Sequence, residues 1–167
     1  VNADDFGMCH SLCEGGMRAI QEGLATSCSL MVPTPWGIHA MKLLKDNPHI
    51  PFSVHLCAVS EYAYYRWKPL SAPAKVPTLI DEVGCFVRDH LIDEMVAGVN
   101  LDELEKEFRL QIDTVLDYGL TPSHLDSHYH VAGLRDDIFD MTVSLALEYG
   151  LALRVTKADS IRKLQSK

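Results

Sequence analysis

The chain has 167 residues, 47% of them hydrophobic, enough for one domain with a sizeable core. A formal net charge of −8 without any basic stripe argues against a nucleic-acid backbone as partner. No apolar run approaches the roughly 18 residues that a membrane span needs, so no membrane is expected either.

The first segment, Val1 to Gly7, passes from apolar residues to a polar, glycine-ended turn and reads as the end of a buried strand. Ser11 to Glu22 has helical periodicity through Leu12, Met17, Ala19 and Ile20, with Gly23 as its C-terminal stop. Ser27 to Val32 reads as a strand ended by Pro33 and Pro35, and Ile38 to Asp46 as a second amphipathic helix stopped by Asn47-Pro48. Ile50 to Leu56 is a third strand, with His55 near its C-terminal end. Ser60 to Val87 carries three prolines and the aromatics Tyr62, Tyr64, Tyr65 and Trp67; a connection this long is usually a lid or a binding loop. Leu101 to Tyr118 is a helix with Asp102 and Glu103 in its first turn and Gly119 past its end. Ser123 to Ser127 is a strand running into a His-rich loop, Asp136 to Tyr149 a further helix, and Leu151 to Val155 a last short strand. Strands alternating with helices at this spacing predict an α/β fold with a parallel sheet, open or closed into a barrel. The missing initial Met and the ending at Ser166-Lys167 predict a piece of a longer chain.

In such folds the chemistry sits just past the C-terminal ends of the strands, and three strand ends here carry metal-type ligands. In Asn2-Ala3-Asp4-Asp5-Phe6-Gly7, two adjacent carboxylates point to opposite sides if the extended geometry continues. One metal-bound and one free carboxylate would resolve their repulsion, although a solvated turn or helix cap uses the same residues. In Ser123-His124-Leu125-Asp126-Ser127-His128-Tyr129-His130, strand periodicity predicts that His124, Asp126, His128 and His130 share one face. Such a run suits a divalent metal, with Asp126 orienting an imidazole from behind. His55 gains weight only because it, too, ends a strand. The five cysteines are odd in number and lack a Cys-x-x-Cys, which predicts buried thiols in a reducing, cytoplasmic setting.

The two motifs together resemble those of the YdjC-like carbohydrate deacetylases, among them the chitooligosaccharide deacetylases. Thr26-Ser27, His55-Leu56 and Lys68-Pro69-Leu70-Ser71 fit the same order, so the similarity runs from Val1 to about Val155. The resemblance implies a distorted (β/α) barrel like those of polysaccharide deacetylases and glycoside hydrolases, incomplete here at the C-terminus, with residues 1–167 as one catalytic domain. It further implies Asp5, His55 and His128 as ligands of a divalent metal, magnesium on the family pattern, Asp4 as general base, and an N-acetylated sugar or oligosaccharide as substrate. Two imidazoles and a carboxylate suit Zn²⁺ at least as well as Mg²⁺. His124 and His130 are the candidates within this chain for protonating the leaving amine; the family's own candidate is a C-terminal histidine in a His-Pro motif, which these residues do not include. The expected partner is a small carbohydrate, and a homodimer is compatible with the sequence. Two other readings use the same residues: a metal-containing sugar-binding or regulatory protein without turnover, and a glycoside hydrolase working through Asp4 and Asp126.

Overall fold

In the computed structural model, which describes residues 1–155, five strands lie side by side in sequence order. They are β1 (Asn2–Phe6), β2 (Ser27–Leu30), β3 (Phe52–Leu56), β4 (His124–Ser127) and β5 (Ala152–Leu153), every neighbouring pair parallel. Parallel neighbours need crossovers, supplied by α1 (His10–Gln21), α2 (Gly37–Asp46), α4 (Leu101–Asp117) and α5 (Asp136–Tyr149). The predicted α/β class and parallel sheet are observed.

Differences from the sequence reading lie mostly at element ends. The last strand is two residues long rather than five, and strands three and four begin at Phe52 and His124. A helix absent from the sequence reading, α3 (Ile92–Gly98), precedes α4. Its seven residues bury Ile92, Met95 and Val96, too short a span to establish a period. The chain's end at Ser166-Lys167 falls outside the described residues.

Register sorts the side chains into two faces. Leu30, Val54 and Leu125 lie side by side on one face, as do Cys28 and Phe52, and all are buried beneath the helices. Ser29, Ser53 and His124 align on the other, followed by His55 beside Asp126. β2 and β3 thus alternate apolar and polar residues because their two faces meet different surroundings. The polar face is strongly curled: Arg154, just past β5, reaches Asp4 of β1 with 2.9 Å between Nη1 and Oδ1. Four gaps of about 4.8 Å would hold these edge strands about 19 Å apart in a flat sheet.

The long connection after β3 is fastened to α4. That helix starts at Asn100, whose side chain accepts the backbone N–H groups of Asp102 and Glu103. Its buried stripe of Leu104, Phe108, Ile112 and Val115 includes two polar residues, Glu107 and Gln111. Gln111 bonds both the N–H and the carbonyl of Cys57, at 2.9 and 2.8 Å. The Glu107 carboxyl accepts from Leu70 N–H, Ser71 N–H and Gln111 Nε2 at 2.9–3.0 Å. Two buried polar groups that would be costly alone therefore pin the connection at its start and middle.

Glu107→Ala would leave the Leu70, Ser71 and Gln111 donors without their acceptor, at about 1–3 kcal/mol for the buried Gln111 amide and less for the two partly exposed N–H groups. We expect a lower urea midpoint for the full-length protein and faster amide exchange at Leu70 and Ser71 than in wild type. An unchanged midpoint and unchanged exchange would show that Glu107 is not an anchor.

Candidate metal centre

The aspartate doublet owes its geometry to a bulge. β1 pairs with β2 at Asn2–Ser27 and Ala3–Cys28, and resumes at Phe6–Leu30, so β1 contains one extra residue. Asp5 takes it up with φ of 62°, a left-handed conformation that aspartate tolerates better than most residues. Gly7 then turns the chain at φ of 106°, where a Cβ would stand 3.1 Å from the Met31 carbonyl oxygen. Thr34 Oγ1 donates to the Gly7 carbonyl at 2.6 Å and holds that turn. The extended geometry that would have sent Asp4 and Asp5 to opposite sides does not continue through the doublet.

Redirected in this way, Asp5 meets the two histidines. Its Oδ1 lies 3.4 Å from His55 Nε2 and 3.2 Å from His128 Nδ1. The three donor atoms fall within 4.8 Å of one another, and the two rings stand edge to face with centroids 5.3 Å apart. Both imidazoles are buried, while the Asp5 side chain keeps 34% of its exposure, so the cluster opens to solvent on the carboxylate side. Two imidazole nitrogens and one carboxylate oxygen, with room beyond, match the donor chemistry of a divalent metal site.

Each imidazole has a second carboxylate behind it. His55 turns Nδ1 to Asp126, its register neighbour on β4, in a short buried pair. His128 turns Nε2 to Glu61, 3.1 Å away. These contacts oppose the burial. Desolvation alone would raise the Asp5 carboxyl, but His128 and His55 hold it well below the usual carboxylate range. Desolvation would likewise lower His55, but Asp126 and Asp5 raise it to about 9. His128 is raised in the same way, against its burial, by Asp5 and Glu61. Asp126, despite its burial, is lowered by His55, Ser29 and Arg154.

Asp4 is held separately. Its Oδ1 receives Asn2 Nδ2 at 2.7 Å and Arg154 Nη1 at 2.9 Å, with Ser29 Oγ also 2.9 Å away. Ser29 Oγ is closer to Asp126 Oδ2, at 2.5 Å, so its single proton goes to the carboxylate behind His55, while Asn2 Nδ2 donates to the same hydroxyl at 2.6 Å and joins it to the Asp4 side. Among the described residues, Asp4 Oδ2 carries no hydrogen bond. A cavity of about 300 Å³ opens beside it, lined by Asp4, Ser127, His130, Phe139, Leu153 and Arg154.

The expected single face of His124, Asp126, His128 and His130 is not observed. β4 ends at Ser127, and Tyr129 and His130 adopt φ of 54° and 55°, so strand alternation stops before His128. His130 consequently reaches the cavity beside Asp4. His124 begins β4, about 7 Å of strand before Asp126, and its Nδ1 lies 2.9 Å from Ser123 Oγ. Burial keeps its pKa below the ordinary histidine value. Asp126 is almost wholly buried and committed to His55, which leaves it unable to serve as a glycosidase carboxylate facing a sugar. Of the aromatics in the long connection, Trp67 is buried, Tyr65 donates to the Met8 carbonyl, and Tyr62 and Tyr64 are exposed.

Glu61, Ser29 and Arg154 did not emerge from the sequence. Ser29 and Arg154 had a signal in the shared polar alternation of the strands. Glu61 had none, since only the path of the long connection brings it behind His128.

The family model described as YdjC-like protein matches residues 1–167. A carbohydrate deacetylase of Geobacillus stearothermophilus is 35% identical over 154 residues, covering 92% of this chain and 58% of that protein. One from Clostridium beijerinckii is 31% identical over 166 residues, covering 99% of this chain and 63% of its own length. The fold matches a crystal structure from Enterococcus faecalis, of a protein assigned by name to cellobiose-phosphate cleavage. The TM-score is 0.84 at 29% identity, over 99% of this chain and 62% of that one. The chain thus spans about three fifths of the length of these relatives. With its aspartate doublet and two strand-end histidines gathered at one mouth of the sheet, the chain belongs to the YdjC-like family.

Proposed function

We propose that residues 1–167 form one catalytic domain, the N-terminal and central part of a metal-dependent carbohydrate deacetylase acting on N-acetylated sugars of the chitooligosaccharide type. The observation that carries this reading is the convergence of Asp5, His55 and His128, each imidazole backed by a carboxylate. The relatives' names point to the same reaction. The strand order supports a barrel, because it never reverses, and right-handed crossovers then place all helices on one face. The curled polar face would form the barrel's interior.

A divalent ion held by the three residues supplies Lewis-acid polarisation of the acetamide carbonyl and a more acidic water. The nitrogen-rich donor set favours Zn²⁺ over Mg²⁺. Asp4 is the general base: Oδ1 is fixed by Asn2 and Arg154, and Oδ2 takes the proton of the attacking water. The water oxygen joins the acetyl carbon, the carbon–nitrogen bond breaks, and the sugar amine leaves with a proton. His130, which lines the same cavity as Asp4, is the better candidate of the two histidines to give that proton; His124 lies further down the sheet.

Three measurements on the full-length protein test this reading. Acetate should be released from an N-acetylated chitooligosaccharide. Asp5→Asn should lose metal and activity together, whereas Asp4→Asn should keep its metal and lose about 10²–10⁴-fold in kcat. Metal loss in Asp4→Asn with retention in Asp5→Asn would reverse the two roles, and release of shortened sugars without acetate would reject the reaction.

The third measurement concerns protons. Since His55 stays protonated up to about pH 9 without metal, binding must displace that proton. Apparent affinity should therefore rise with pH, about tenfold per unit for each displaced proton, until about pH 9. The metal-free fold should run the other way: the stabilisation from the raised His55 is complete below the ordinary histidine value and lost as pH rises through about 9. Calorimetric titration in buffers of different ionisation enthalpy counts the released protons, and a pH-independent affinity would contradict the ligand assignment.

A further inference from the structure

His55 and His128 face the same carboxylate but are oriented by different means. For His55 the sheet does the work, because β3 and β4 are in register and Asp126 lies directly beside it. His128 has no such support. It follows the last residue of β4 and precedes two residues with positive φ, so no strand neighbour restrains its ring. What lies behind it is Glu61, with Oε2 3.1 Å from Nε2 and a side chain only 9% exposed.

Glu61 is itself held with unusual care for a residue in a long connection. Its neighbour Ser60 is buried, donates its N–H to the Val87 carbonyl at 2.9 Å, and accepts Trp67 N–H at 3.0 Å through Oγ. Arg66 bonds the same Oγ and ties it to Asp81 at 2.8 Å. Four residues before Glu61, Cys57 is clamped at both backbone groups by Gln111. A carboxylate on a mobile loop would lose much of its orienting effect to side-chain and backbone entropy. This one is carried on a fixed frame.

We propose that Glu61 is the positioning residue of His128. It accepts the Nε2–H and so sets the tautomer that presents the Nδ1 lone pair to the space shared with Asp5 and His55. The role mirrors that of Asp126 toward His55, and it rests on reading Asp5, His55 and His128 as a metal centre. A carboxylate behind a ligating imidazole fixes ring orientation and raises its basicity, and its loss typically weakens metal binding about 10–100-fold.

The test uses the full-length protein, zinc as probe, and the variants Glu61→Ala and Glu61→Gln. Zinc affinity should fall about 10–100-fold in Glu61→Ala and less in Glu61→Gln, whose amide oxygen can still accept the Nε2–H. Long-range ¹H–¹⁵N spectra of the zinc-loaded wild type should show His128 protonated at Nε2 and zinc-shifted at Nδ1. A purely structural role for Glu61 would produce neither the rescue by glutamine nor this tautomer. If Glu61→Ala binds zinc as tightly as wild type, or if Nε2 carries the zinc shift, the role of Glu61 is overturned while the centre stands. If wild type binds no zinc and no other divalent ion, the centre itself is lost and this inference with it.

Discussion

Placing an imidazole and a carboxylate side by side under a sheet costs several kcal/mol of desolvation unless each finds a partner. The parallel register of β3 and β4 meets that demand by setting His55 against Asp126. Much of the polar face is organised around this pair. Ser29 donates to Asp126 and sits 2.9 Å from Asp4, Arg154 spans Asp126 and Asp4, and His55 points its other ring nitrogen at Asp5. One register thus fixes the direction of one candidate ligand and, through two further side chains, the setting of the candidate base.

The opposite face explains why the register is stable. Slipping β3 by one residue would turn Val54 and Leu56 away from the helices and put His55 among Phe108, Ile112 and Val115. The apolar pattern that builds the core and the polar pattern that builds the site are therefore the same pattern, read on alternate residues. Neither can shift without the other.

Backbone strain is concentrated where regular structure gives way to chemistry. The non-glycine residues with positive φ among those described are Asp5, Tyr129 and His130, all at the C-terminal mouth of the sheet. Each such conformation costs on the order of 1–3 kcal/mol and persists only where its surroundings insist on it. Here the bulge in β1 turns Asp5 toward the histidines, and the turn after His128 carries His130 to the cavity beside Asp4. Strain of this kind aims side chains that regular strands would send elsewhere.

Most of the fold was legible in the sequence because helix and strand periods are local. The spacing of Met17 and Ile20, the stops at Gly23 and Gly119, and the Asn47-Pro48 break each act within a few residues. The short α3 helix escaped because seven residues hold too few turns for a period to emerge. The site was legible only as far as its residues end predicted strands or carry a motif, which singled out Asp5, His55, His128, Asp4 and Asp126. Strand alternation could not be carried past Ser127 to His130, because Tyr129 and His130 leave the extended region for positive φ. Glu61 shows the limit most clearly. It stands 67 residues from His128, and their contact exists because Glu107 and Gln111 of a later helix fix the path between them. Local chemistry determined which residues were able to act; only the closure of long-range hydrogen bonds decided which of them meet.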